Sequence, residues 1–140
     1  MLEILKKNYG PLLIVLISFL IDRITKNLIL RHSEIHNTIF INDFLNFDLV
    51  WNTGIGFGLL SLSNVFFYNV ITFLIFLIII YIVYMFKKLS MSEKYYFSLI
   101  LGGAVGNFYD RVDLHAVPDF IDLHYKNFHW FTFNFADIFI

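Results

Sequence analysis

The sequence contains no cysteine and carries little charge. Without cysteine there can be no disulfide, no thiolate nucleophile and no cysteine-ligated metal, which excludes cysteine proteases and thiol redox proteins. Charged residues make up 15% of the chain and its formal net charge is -1. Because no basic surface is available to hold a phosphate backbone, we expect no nucleic-acid partner.

Apolar residues dominate the composition. The 140 residues are 59% hydrophobic and 20% aromatic, and the mean hydropathy is +0.71. These values are too apolar for an ordinary soluble domain. We therefore expect one membrane-embedded domain that covers residues 1–140.

Four apolar runs are candidates for membrane-spanning helices, each of which needs about 20 apolar residues. The clearest is 65–86, which has no charged residue, and 11–30 is similar apart from Asp22, Arg23 and Lys26. The run 95–109 is shorter. The fourth begins near Trp130 and ends with the sequence at residue 140, so we expect a truncated helix that covers about half of a ~30 Å hydrocarbon core.

Glycine spacing and lysine placement add detail to these four helices. Gly102, Gly103 and Gly106 are spaced so that another backbone can approach the third helix closely. Lysines precede the first helix and lie between the second and third, which places both segments in the cytoplasm by the positive-inside rule. The segments 31–64 and 110–129 are then expected to be outward loops. No small-residue cleavage site follows the first apolar run, so we expect an uncleaved helix.

The first outward segment contains a pattern typical of a strand. In residues 44–51, Asn46 and Asp48 alternate with apolar side chains, which is the period of two expected for a strand. The glycines that follow, Gly54, Gly56 and Gly58, indicate tight turns or a close approach of the backbone. The second outward segment is rich in aspartate and is predicted to be a loop.

Ionisable residues near membrane depth are functional candidates because burying them is costly. Asp22 and Lys26 are four apart on a helix, so a structural ion pair is the favoured interpretation. For Asp110 with Arg111 a functional and a structural role are equally supported.

Asp119 and Asp137 both lie where they could reach the outer membrane boundary. Two carboxylates held together there would share a proton, so that one acts as general acid and the other as general base. Spacing alone leaves other acids of the same segment, and a role as ordinary surface acids, open.

Histidines suggest two metal sites that their spacing does not support. His32, Glu34 and His36 differ from the zinc-protease motif because the glutamate comes one position late. The group His115, His124 and His129, with Asp119 and Asp122 nearby, matches no standard ligand spacing. We therefore predict no metal and expect these side chains to be solvated or interfacial.

Five blocks of residues resemble, in order, the motifs of one known family. They are DRITK at 22–26, NTGIGFG at 52–58, GGAVGNFYDR at 102–111, VPDF at 117–120 and FNFAD at 133–137. The family is lipoprotein signal peptidase, also called signal peptidase II. The resemblance runs from residue 22 to residue 137, and the last three blocks are the most specific.

The resemblance implies an integral, mainly α-helical protein of the bacterial cytoplasmic (inner) membrane. It implies a multi-pass four-helix transmembrane bundle with a small extracytoplasmic β-cradle, both termini in the cytoplasm and the active site toward the extracytoplasmic side. Enzymes of this family are aspartyl endopeptidases that cut prolipoproteins before a diacylglyceryl-modified cysteine. We accordingly expect that substrate and membrane lipids as partners, no cofactor, and a monomer.

The matching positions also imply individual roles. Asp119 and Asp137 would be the catalytic pair. Five residues would hold the substrate or brace the pair: Asn52, Gly54, Asn107, Arg111 and Asn134. Asp22, Lys26 and Asp110 would fix helix ends and the shape of the site.

Two departures and two alternatives accompany this interpretation. Pro118 removes a backbone donor next to Asp119 and favours extended geometry at Val117, and the family's fourth helix continues beyond the last residue of this chain.

A presenilin-type intramembrane protease is weakly suggested by Tyr109 and Asp110, but its Gly-x-Gly-Asp motif is absent. A non-catalytic transporter or channel subunit with a proton relay is the alternative from another class.

Overall fold

The computed structural model of the chain describes residues 2–33, 38–54 and 65–140, with side chains from residue 8 onward. In chain order the elements are α1 (Leu2–Ser33), β1 (Thr38–Asn42), β2 (Leu45–Asn52), α2 (Val65–Met85), α3 (Met91–Asp113), β3 (Val117–Tyr125), β4 (Phe128–Phe133) and α4 (Phe135–Phe139). Three long helices thus accompany a small sheet and one short helix. Gly56, Gly58 and His36 lie outside the described residues.

Helix α2 contains no charged residue and ends one residue earlier than the sequence predicts. Within the described ranges it is the one helix that is long and apolar enough, by length and composition, to cross a membrane. Helix α1 is longer than the predicted 11–30 and passes through Pro11. The charges of Asp22, Arg23 and Lys26 do not end it, since these side chains are neutralised inside the protein.

Helix α3 extends beyond the predicted run 95–109 at both ends. Its first turn is closed by a capping box, in which the Ser90 hydroxyl accepts from the Glu93 N–H and the Glu93 carboxylate accepts from the Ser90 N–H. Lys94 donates to the Asn8 side chain over 2.8 Å. The polar residues at both ends of α3 led to a shorter predicted helix. In the structure these residues cap the helix or bond to other elements.

Close packing of α3 depends on its glycines, as the spacing predicts. A Cβ at Gly106 would stand 2.5 Å from Asp22 Oδ2 on α1. A Cβ at Gly103 would stand 2.5 Å from the Ala136 carbonyl oxygen on α4. Both helices therefore approach α3 at distances that only glycine allows.

The four strands form one antiparallel sheet in the order β1-β2-β3-β4. The predicted strand 44–51 is confirmed as β2. The expectation of a loop over 110–129 is wrong, because this segment contains the end of α3, all of β3 and the start of β4. Buried Val117 and Phe120 of β3 belong to the core. The acidic residues of β3 made the segment look like a solvated loop in the sequence. In the structure Asp119 and Asp122 are buried and hydrogen-bonded.

The predicted fourth helix also needs correction. The run from Trp130 to the end is not helical at its start, because β4 pairs with β3 and α4 begins only at Phe135. In β4 only His129 and Thr132 are polar, and because they are three positions apart the segment shows no period of two that would indicate a strand. Val117, which precedes Pro118, is extended as expected.

Candidate active site

Asp119 lies in β3 and is only 1% exposed. Two asparagine side chains hold its carboxylate. The amide of Asn52, at the end of β2, donates to Oδ2 over 2.8 Å, and the amide of Asn134 donates to Oδ1 over 2.6 Å. With one donor on each oxygen, the carboxylate has a fixed orientation.

Asp137 is the third residue of α4 and takes part in the capping of that helix. Its Oδ2 accepts from the Asn134 backbone N–H over 3.1 Å, while its own N–H donates to Asn134 Oδ1 over 3.2 Å. The side chain of Asn107 on α3 donates to Asp137 Oδ1 over 2.8 Å. Asn134 therefore contacts both aspartates. Its side-chain nitrogen donates to Asp119, while its backbone N–H and its Oδ1 bond to Asp137.

Both aspartates line one cavity of about 420 Å³. Asn52, Asn107 and Arg111 contribute polar groups to its wall. The remaining wall is mostly aliphatic and comes mainly from α2 and α3, including Ile75, Ile78, Ile79, Ile82 and Ile100. A few convergent polar groups in an apolar cleft are typical of a ligand-binding or active site.

The pKa of Asp119 is raised from 3.8 to about 6, mainly by burial and secondly by the nearby charge of Asp137. The hydrogen bonds from Asn52 and Asn134 oppose this shift because they stabilise the carboxylate. Two carboxyl groups that influence each other in this way can divide the roles of acid and base between them.

Arg111, near the end of α3, is 5% exposed and faces the same cavity. One guanidinium nitrogen, Nη2, donates to the Gly54 carbonyl over 2.8 Å. Nε and Nη1 are buried and make no hydrogen bond to any described residue. Gly54 is held in turn because its N–H donates to Asn52 Oδ1 over 2.8 Å. Hydrogen bonds thus connect the predicted residues Asn52, Gly54 and Arg111, and Asn52 and Arg111 line the cavity.

A buried charge cluster lies between α1 and α3. Lys26, which is 0% exposed, pairs with Asp22 at 2.9 Å and with Asp110 at 2.7 Å. The expected pairing of Asp22 with Lys26 is therefore confirmed. Lys26 also donates to Asn107 Oδ1 over 2.7 Å, and the other end of that amide bonds Asp137. The cluster thus reaches the proposed catalytic aspartate through one side chain.

The sequence did not single out Arg23 as a member of this cluster. Its guanidinium donates to Asp22 over 2.9 Å and to Asp110 Oδ2 over 2.7 Å. The one available signal was its position next to Asp22 on a helix that must bury its charges. Asp110 therefore receives Arg23 and Lys26 from α1, whereas its neighbour Arg111 points to the cavity.

The histidines are distributed differently from the expectation that all would be solvated or interfacial. His115 is exposed, but His124 is 7% exposed and lies beside Asp122 and His129. The expectation is wrong for His124, because the hairpin of β3 and β4 covers it.

The chain is similar to known proteins over nearly its whole length. The family model described as signal peptidase (SPase) II matches residues 14–140. A protein named lipoprotein signal peptidase from Pelagibacter ubique (strain HTCC1062) is 54% identical over 138 residues, covering 97% of this chain and 83% of the relative. A protein of the same name from Buchnera aphidicola subsp. Schizaphis graminum is 39% identical, covering 95% of this chain and 88% of the relative.

Solved structures give a consistent result. Two structures described as bacterial membrane enzymes match with TM-scores of 0.75 and 0.73 and sequence identities of 33% and 32%. Each match covers 92% of this chain, and 79% and 83% of the respective solved chain.

Proposed function

The chain belongs to the signal peptidase II family, and on this basis we propose that it is the protease that removes signal peptides from prolipoproteins. The observation that carries the mechanism is that Asp119 and Asp137 line one cavity. Different asparagines hold them, because Asn52 donates to Asp119 and Asn107 donates to Asp137. The bond cut would be the one before a cysteine that carries a diacylglyceryl group.

We propose aspartyl catalysis by Asp119 and Asp137, which share one proton between them. The ionised carboxylate takes a proton from water as the water attacks the scissile carbonyl. The protonated carboxyl then donates its proton to the leaving amine, and the pair returns to its starting charge. Asn52, Asn107 and Asn134 keep the two carboxylates oriented through these steps.

Arg111 is proposed to hold the substrate backbone. Its Nε and Nη1 are buried donors without partners among the described residues, a state that costs about 1–3 kcal/mol or more for such a group. A peptide carbonyl in the cavity would satisfy them. The aliphatic wall from α2 and α3 would accept the apolar signal-peptide side chains and the start of the acyl chains.

We further propose that α1, α2 and α3 cross the bacterial inner membrane and that the short α4 completes the four-helix bundle by packing against α1 and α3, in a protein that is a single domain and a monomer. The supporting observation is that exposed helix surfaces are apolar, with Leu12 and Leu16 on α1 and Phe73 and Leu77 on α2 all 44% to 58% exposed. Lipid would cover these surfaces. The sheet would lie at the extracytoplasmic side, opposite the lysines between α2 and α3.

The alternative of a non-catalytic proton relay is not supported by any relative found. Asp22 and Asp110, which such a relay would use, are held by Lys26 and Arg23 in ion pairs.

Cleavage of a purified diacylglyceryl-modified prolipoprotein tests the proposal. We expect Asp119→Asn and Asp137→Asn each to lower the rate by about 10²–10⁴-fold, the usual contribution of a general acid or base. Asp113→Asn is the matched control, since Asp113 is an exposed aspartate at the end of α3. Its rate should stay at the parental value. If Asp119→Asn or Asp137→Asn folded normally and cleaved at the parental rate, the two aspartates would not be the catalytic pair.

A further inference from the structure

Three side chains with metal-ligand chemistry converge on one face of the β3–β4 hairpin. Asp122 and His124 are buried whereas Leu123 between them is exposed, so the first two point to the same side of β3. His129 is the cross-strand partner of His124 in β4. His129 Nδ1 lies 2.8 Å from Asp122 Oδ2, and His124 Nδ1 lies 3.5 Å from the same oxygen.

The spacing of these three donor atoms fits a small cation. One donor atom from each residue can be chosen so that all lie within 4.8 Å of one another. Tetrahedral ligands at the usual zinc–nitrogen and zinc–oxygen distances of about 2.0–2.2 Å are themselves about 3.3–3.5 Å apart. The hairpin therefore holds the three donor atoms close enough for small side-chain rotations to place them around one cation.

Two buried atoms near this group have no hydrogen-bond partner among the described residues. The first is His124 Nδ1, whose side chain is only 8% exposed. The second is Asn46 Oδ1 on β2. Asn46 is directly opposite Asp122 in the β2–β3 pairing, which places both side chains on one face of the sheet. A buried donor or acceptor without a hydrogen bond costs about 1–3 kcal/mol, so a ligand that satisfied either atom would be stabilised.

We propose that Asp122, His124 and His129 bind a divalent transition-metal cation of the zinc class, with Asn46 Oδ1 beside it as a further oxygen donor. Two imidazoles and one carboxylate are ligands that Zn²⁺ and related ions prefer. The site is separate from the aspartate pair, and its role is structural. It would fasten β3, which carries Asp119, to β4, which leads into Asn134 and Asp137.

The competing state is a plain ion pair between Asp122 and His129, which the 2.8 Å contact allows when His129 is protonated. That state leaves His124 Nδ1 and Asn46 Oδ1 unsatisfied. If only the ion pair exists, replacing His129 leaves metal affinity unchanged. If the metal site exists, the same replacement weakens metal binding, so a binding experiment distinguishes the two states.

The test is titration of the full-length protein, purified in detergent with a tag that contains no histidine, with Co²⁺ and Zn²⁺. We expect one ion per chain and the visible d–d absorption of low-coordinate Co²⁺. His129→Asn and Asp122→Asn should each weaken binding by at least about 10-fold, the smallest loss usual even for groups that only support metal ligands.

His115→Asn is the matched control, because His115 is exposed and has a left-handed backbone that asparagine tolerates. Its affinity should equal that of the parent. His129 is 57% exposed at its side chain, so His129→Asn is expected to fold. As a second readout, Zn²⁺ should raise the Tm of parent and control but not of His129→Asn. Equal Co²⁺ binding by parent and His129→Asn, or no binding by the parent, would overturn the proposal.

Discussion

At the scale of single residues, three asparagine side chains hold the aspartates of the proposed pair. Asn52 donates to Asp119 and accepts from the Gly54 N–H. Asn134 donates to Asp119 and accepts from the Asp137 N–H. Asn107 donates to Asp137 and accepts from Lys26. Because each amide is bonded at both ends, its nitrogen and oxygen cannot exchange places without losing two bonds. The family motifs pointed to all three residues, but only the structure assigns each to a carboxylate.

The pH dependence of cleavage follows from the environment of Asp119. Its pKa is raised from 3.8 to about 6, so this group keeps its proton up to that pH and loses it above. If the pair must hold one proton, kcat/KM should be bell-shaped and should fall about tenfold per pH unit on the alkaline side, starting near pH 6. The acid side falls when the second carboxylate is protonated.

Measurement of kcat/KM across the acid and neutral range, with stability checked at each pH, tests this expectation. Asp113→Asn should give the same curve as the parent, because Asp113 is exposed and does not line the cavity that holds the pair. A constant kcat/KM from about pH 4 to pH 8 would contradict a shared proton.

At the scale of the elements, glycine in α3 decides how closely the helices meet. Gly106 faces Asp22, whose carboxylate is already held by Arg23 and Lys26. Gly103 faces the backbone of α4, which carries Asp137. The spacing of these glycines predicts close packing, but the partner helices cannot be identified from spacing alone.

Gly106→Ala should therefore destabilise the protein. The new Cβ would be 2.5 Å from Asp22 Oδ2, and this oxygen cannot move without disturbing two ion pairs, so we expect a loss of about 1–3 kcal/mol. Thermal or denaturant unfolding in detergent measures it.

Gly10→Ala is a matched control in α1. There the nearest atom is the Tyr95 hydroxyl at 2.6 Å, at the end of a side chain that is 41% exposed and can swing away. The loss should be much smaller, since alanine also favours the helix. Equal losses for the two variants would show that the contact at Asp22 is not the limiting one.

At the scale of the whole molecule, the proposed orientation in the membrane can be tested directly because the chain has no cysteine. Asn127→Cys at the exposed turn between β3 and β4 should react with a membrane-impermeant maleimide added to spheroplasts. Ser92→Cys, exposed in the first turn of α3, should react only after the membrane is opened. The reverse pattern would invert the proposed topology.

Composition and short motifs were sufficient for the family and for the strand at 44–51, because these features are local in the sequence. The same motifs supply the residues of the proposed catalytic site, whose roles stay a prediction. Composition and motifs did not predict the fold of residues 110–140. In this segment several acids that look solvated are buried, and β4 is mostly apolar with no alternation between buried and exposed positions.

The contacts that make a site also required the tertiary structure. Lys26 bonds Asn107 across 81 positions of the chain, and Asn52 bonds Asp119 across 67. Such contacts depend on how helices and strands pack, not on the order of residues. The same packing brings His129 back over Asp122 and His124, whose spacing had predicted no metal site. The motifs therefore determine which chemistry is proposed, and the packing decides which groups can act together.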